Sequence, residues 1–220
     1  QERTRPAITD CLLTDFYFED GKYVVEVNHD GEEQTIIAKN LVLATGGYGG
    51  TFDNTNNVRY NEYNIFDLVE KNGGQIASLE SLFMHPFGHN DGRRILIGAE
   101  SSQGEFIDDS RNPIFSPTVD EYVRNDDYHE HFQEVIQELD ACRAKGSSVR
   151  FVLGDREEEI VTTVHYTSGG IVTDIDCRVK GNLFAIGECV VNGSRNNGRL
   201  PGYPFTSAVV YAKHLTEVML

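Results

Sequence analysis

Two short apolar runs constrain this chain more than anything else in it. NLVLAT at 40–45 and NLFAIGEC at 182–189 show no polar alternation, and each runs straight into a glycine turn. A strand with one wet face alternates apolar and polar residues. A strand buried on both faces does not, and such strands belong to parallel sheets covered by helices. The carboxyl ends of such strands are where open α/β sheets bind ligands. The expected fold class is therefore α/β, with Ala44, Thr45, Gly46 and Gly47 of the first turn as candidate ligand-facing residues. Two adjacent glycines there would let the backbone approach a ligand closely.

The rest of the chain supplies elements around that sheet. FYFE at 16–19, KYVVEV at 22–27 and EQTIIA at 33–38 are separated by Asp20-Gly21 and Asp30-Gly31. Asp-Gly pairs provide the positive φ angles of tight hairpins, so a β-meander is expected. IFDLVEKNGG at 65–74 predicts a short helix stopped by glycine. Residues 119–145 predict one long helix, with Tyr128, Phe132, Val135, Ile136 and Leu139 on a single face and Gly146 closing it. VRFVLG at 149–154 and IVTTVHY at 160–166 predict strands. TSAVVYAKHLTEVML at 206–220 predicts a terminal helix with Thr206 or Ser207 as its N-cap.

Bulk chemistry excludes some function classes. The chain has 220 residues, enough for a substantial core, and a net charge of −16. Nucleic acid, which needs a basic face, is not an expected partner. An anionic ligand would have to be held by local positive groups against the overall field. Cys11, Cys142, Cys177 and Cys189 are scattered without a C-x-x-C pair, so reduced thiols are expected and no metal site. No apolar run reaches the length of a membrane span and no signal peptide is visible, which makes a cytoplasmic location the expectation. The start, QERTRPAITD, lacks an initiating Met and enters strand-like sequence directly, as in a cleavage product or one chain of a split protein.

Four further motifs carry the chemistry: FMHPFGH around His85, VHYTSGG around His165, GEC around Glu188, and NNGRLPG around Arg199. A lone histidine at an apolar strand end is usually structural, and a lone arginine is usually solvated. As an ordered set, together with LVLATGG, they resemble the flavoprotein subunit of fumarate reductase and succinate dehydrogenase, and its relative L-aspartate oxidase. The resemblance runs from roughly residue 15 to 215. It implies FAD as cofactor and a partial FAD-binding, Rossmann-like domain with a β-meander, into which an α+β capping domain is inserted. The two histidine motifs mark the junctions, giving FAD-binding parts at 1–85 and 165–220 and a shortened cap at 86–164.

By the same resemblance, His85, His165 and Arg199 grip the carboxylates of a four-carbon dicarboxylate. Glu100 belongs to the catalytic set. Arg124, in EYVRNDD, stands nearest to the position of the family's proton-donating arginine. Ala44, Thr45, Gly46, Gly47, Glu188, Thr206 and Ser207 face the cofactor. Three departures stand out. Ala99 replaces a threonine, Gln103 replaces an arginine, and the family's T-G-D-G turn reads Asn61-Glu62-Tyr63-Asn64. The expected function is hydride transfer between flavin and fumarate or succinate, with L-aspartate oxidation as the alternative. A non-catalytic module binding a dicarboxylate or a partner chain is the reading from another class.

The G-x-G-x-x-G strand–turn–helix that would hold the FAD pyrophosphate is absent from this sequence. The expected partner is therefore the missing N-terminal half of the flavoprotein, or a second chain carrying it. Without that half, the sheet face at 40–45 and 182–187 is expected to be uncovered and to drive association. FAD titrated into the isolated chain should bind weakly or not at all. Tight stoichiometric binding followed by flavin fluorescence would contradict this.

Overall fold

A computed structural model of the chain describes residues 7–60, 64–90, 94–96, 98–192 and 202–219. It begins with the meander: β1 (Cys11–Glu19), β2 (Lys22–His29) and β3 (Glu32–Ala38) pair antiparallel in that order. Both hairpins turn on the Asp-Gly pairs, with Asp20 and Asp30 at φ 49° and 53° and the following glycines at 78° and 87°. Consecutive positive φ angles match the right-handed twist of the flanking strands. Phe16, Tyr23, Val25 and Val27 point inward, whereas Leu12, Phe18 and Ile37 face solvent.

The two apolar runs pair as their composition requires. β4 (Leu41–Leu43) lies parallel to a strand near the far end of the chain, Leu41 opposite Leu183 and Leu43 opposite Ala185. Between them in sequence, α1 (Asn64–Lys71) buries Ile65, Phe66 and Val69, and Gly73 (φ 77°) follows its end. β5 (Ile76–Ala77) leads into β6 (Leu82–His89). The segment that follows carries α2 (Gly98–Ser101), β7 (Glu105–Ile107), α3 (Pro117–Arg124), α4 (Phe132–Ala144), β8 (Arg150–Leu153) and β9 (Arg156–Thr167). Its four-stranded sheet has the order β6-β9-β8-β7. β10 (Gly170–Ile171), β11 (Arg178–Lys180), β12 (Leu183–Ala185) and α5 (Tyr203–Val218) complete the chain.

The expected single helix over 119–145 is broken in two. Asn125, Asp126 and Asp127 are poor helix formers, and Asp126 sits at φ 61°, which no helix continues through. A separate cap starts α3: Ser116 accepts the N–H of Val119 and Pro117 fills the first helical position. Tyr128, Phe132, Val135 and Leu139 are still buried together, because the kinked segment wraps the same core. The start of α5 also differs from expectation. Gly202, at φ 79°, precedes the helix, and Thr206 and Ser207 lie inside it with hydroxyls donating to the carbonyls of Gly202 and Pro204. Short hydroxyl side chains within a helix bond back to the preceding turn rather than capping it.

Two main cores result. One holds Phe16, Tyr23, Leu43, Tyr48, Phe66 and Leu183; the other holds Phe87, Phe106, Tyr128, Val135, Leu139 and Phe151. Their members divide near His85 and His165. The sheet face expected to lie bare is instead covered, since Leu215 of α5 packs on Phe184 with Val42 beside it. Apolar exposure moves to the outer side of that helix, where Phe205 and Val209 are 82% and 69% exposed. The glycine pair of the HYTSGG motif has a packing reason. A Cβ on Gly169 would lie 2.0 Å from the Ser78 carbonyl oxygen. One on Gly170, at φ 144°, would lie 2.2 Å from that of Cys189. Only backbone fits through that gap.

Phe87 is fully buried and stacks on Phe106 with ring centroids 4.6 Å apart. Phe87→Ala should cost about 3–5 kcal/mol by denaturant unfolding. Phe18→Ala, on the wet face of the meander, should cost much less.

Candidate active site

Two histidines meet because of how β6 and β9 pair. Phe83 opposes Tyr166 and Met84 opposes Val164, so His165 is the extra residue of a bulge on β9. A bulge re-aims the side chain it carries. Here the ring of His165 comes 5.9 Å, centroid to centroid, from that of His85. Both also border the edge of the second core: Phe83 lies 5.9 Å from His165, and Phe132 lies 5.4 Å from His85.

His85 is 4% exposed. Its Nδ1 accepts the N–H of Phe87 at 3.2 Å, which puts the ring proton on Nε2 and makes that atom a donor. Burial, and then the neighbouring His165 and His129, push its pKa down to about 3. Near neutral pH it is an uncharged hydrogen-bond donor. His129 belongs to the turn Tyr128–Glu130 between α3 and α4, its ring 4.2 Å from Tyr128 and 5.5 Å from Phe132. Tyr128, pushed up to about 12 mainly by burial, stays a phenol.

His165 is oriented by a residue that sequence reading missed. Asn56 Nδ2 lies 2.8 Å from His165 Nδ1, with Asn56 Oδ1 at 3.2 Å. The amide is held because its loop is sewn to β9. Val164 N–H donates to Asn54 O, Asn56 N–H to Val164 O, and the Thr55 hydroxyl to the same carbonyl. No sequence signal marks Asn56, since its partner lies 109 positions away.

Cofactor candidates gather at the carboxyl ends of β4 and β12. Glu188 Oε1 accepts the backbone N–H of Thr167 at 2.9 Å and its hydroxyl at 3.1 Å. Gly47 lies against both: a Cβ there would fall 2.1 Å from Thr167 Oγ1 and 2.5 Å from Glu188 Oε1. Gly46, at φ 79°, turns the chain into this position. Thr45, Gly47 and Asn64 line a cleft of ≈ 240 Å³ on the meander side. Ser207 lines another of ≈ 300 Å³ with Ile186 and Gly187. Ala44 and Thr206 are exposed, and nothing described joins Thr206 to Glu188.

The remaining candidates fall elsewhere. Glu100, on α2, accepts Arg156 Nη1 at 2.7 Å in a cleft of ≈ 500 Å³ that Asn56 also lines. Arg124 ends α3 about half exposed, its Nε donating to Asp120 at 2.6 Å. No described contact brings it to either histidine. Arg199, with Asn61, Glu62 and Tyr63, lies outside the described residues.

A glycine turn beside a carboxylate, at the carboxyl ends of the parallel pair β4–β12, is the kind of place where α/β proteins bind ligands. The family model "FAD binding domain" matches residues 117–204. L-aspartate oxidase of Clostridium perfringens is 25% identical over 94% of this chain and 53% of its own length. That of Saccharolobus solfataricus is 28% identical over 96% and 48%. Among solved structures, a quinol-fumarate reductase with menaquinol molecules superposes with a TM-score of 0.75. It is 20% identical, over 94% of this chain and 44% of that one. A flavocytochrome c3 fumarate reductase in its open conformation gives 0.65 at 14% identity, over 93% and 50%. In sequence the chain is similar to L-aspartate oxidases, of whose length it spans about half, and it shares the fold of the fumarate reductase flavoprotein structures. Its cofactor is FAD. The residues present fit that group: Thr45 and Gly47 line an open cleft at the end of β4, and a carboxylate such as Glu188 accepts sugar-type hydroxyls.

Because His85 is depressed below its unfolded value, only the unfolded chain gains a proton there as pH falls from about 6.5 to about 3. Its stabilising share is complete above that window and is lost on acidification through it. Over the window, unfolding free energy should drop by up to about 1.4 kcal/mol per pH unit more in the wild type than in His85→Asn. Denaturant melts at pH 7, 5.5 and 4.5 check this.

Proposed function

We propose that this chain forms the substrate-binding side, and part of the cofactor-binding side, of an FAD-dependent oxidoreductase acting on a four-carbon dicarboxylate. The observation that carries the reading is the end of β9. His165 lies beside His85, and Thr167, only two residues on, is held by Glu188. Two residues of extended chain span roughly 7 Å, so substrate and cofactor groups are set side by side. The cap insert at 86–164 closes over them, with the FAD-binding parts at 1–85 and 165–220.

FAD, when bound, supplies hydride chemistry that no side chain can perform. The chain's own residues bind and orient. Neutral His85 donates Nε2–H to a substrate carboxylate, and His165, aligned by Asn56, meets the same ligand. Arg199 clamps a carboxylate through two parallel charge-assisted bonds. Glu188 accepts cofactor hydroxyls, with Thr45, Gly46 and Gly47 as the backbone cradle beside it. Glu100 acts through Arg156. Arg124, engaged with Asp120, is not given the proton-donor part. L-aspartate oxidation is an equal second reading, supported by the sequence relatives that cover nearly the whole chain.

Inactive by itself, the chain reassembled with a partner carrying the pyrophosphate-binding half, and with FAD, should turn over one of three substrates: fumarate with a reduced dye, succinate with an oxidised dye, or L-aspartate with dioxygen. His165→Ala should lower kcat/KM by roughly a hundredfold, as for loss of a positioned polar catalytic group. Bound FAD whose absorbance responds to none of the three would leave the non-catalytic module as the better account.

A further inference from the structure

The ≈ 500 Å³ cleft that Asn56 shares with Glu100 has a wall of charges, most of which cancel. Arg156 Nη1 donates to Glu100, and its Nη2 faces Glu158 Oε1 as an ion pair, although that oxygen lacks a partner in good hydrogen-bonding geometry. The other oxygen of Glu158 meets Nδ1 of buried His89. Both carboxylates are therefore engaged by cations or donors of the same wall. Arg94 is the exception: among the described residues its guanidinium has no hydrogen bond or ion pair. Its backbone is fixed nonetheless. His89 N–H donates to the Arg94 carbonyl at 2.9 Å, and Leu96 N–H to that of Phe87 at 2.8 Å.

We propose that this cleft is a carboxylate subsite. Arg94 binds the far carboxylate of a small dicarboxylate whose near end meets His165, with Asn56 between them. The inference rests on the dicarboxylate reading above and adds the group that selects two carboxylates over one. A guanidinium fork matches a carboxylate through two parallel N–H···O bonds. A cation would find both acids already engaged and Arg94 repelling it. In a chain of net charge −16, an uncompensated local cation is what an anionic ligand requires.

Fumarate and crotonate isolate the effect, since crotonate is the same four-carbon trans-alkene with a methyl in place of one carboxylate. In the complex reassembled with the pyrophosphate-binding half and FAD, calorimetry should show that the wild type prefers fumarate. Arg94→Ala should weaken fumarate roughly ten- to hundredfold and leave crotonate unchanged. Arg94→Lys should recover part of the loss. Arg94 is exposed, so thermal unfolding of both variants should match the wild type. Equal losses for the two ligands, or no loss for either, would overturn the subsite alone. A wild type that binds neither fumarate nor L-aspartate would bring down the dicarboxylate reading, and the subsite with it.

Discussion

The antiparallel pairing of β6 with β9 is what the rest of the structure hangs from. It ties the core around Phe87 and Phe151 to the core behind the meander, and it carries both histidines. Its two irregularities matter more than its regular part. One bulge presents His165. The second falls between His85 and Gly88, where Pro86 has no N–H to give the ladder. Phe87's amide then turns to the His85 ring instead of across to β9. The H-P dipeptide thus reads as a device that breaks a strand at one point and fixes an imidazole tautomer there.

Charge is handled locally throughout. The chain is strongly acidic, yet around the candidate site the carboxylates are tied down in pairs: Glu188 under Thr167, Glu158 against His89 and Arg156, Glu100 on Arg156. Such pairing removes acids from the reach of an anionic ligand without removing them from the sequence. Net charge is therefore a poor guide to what the cleft can hold.

Much of the architecture was legible where a residue's own conformational limits decide it. The Asp-Gly pairs announced both hairpins, and the unalternating runs announced the parallel strands. The helix break at Asn125–Asp127 was missed because apolar spacing continued across it, and a buried stripe does not reveal a turn that keeps the stripe in place. The histidine pair was visible only through its motifs. Asn56 and Arg94 were invisible, since an amide or a cation acquires its part from partners remote in sequence. The cover over β12 was misjudged because α5 folds back on it, which no local pattern records.

The tautomer lock on His85 has a consequence for proton counting. A ring that is neutral before a carboxylate arrives, with its one hydrogen already on the atom that would meet it, need take up no proton from solvent when the ligand docks. Contact at that ring is therefore indifferent to the buffer's ionisation enthalpy. It also keeps the ring out of acid–base exchange, so any proton the chemistry consumes must enter by another door.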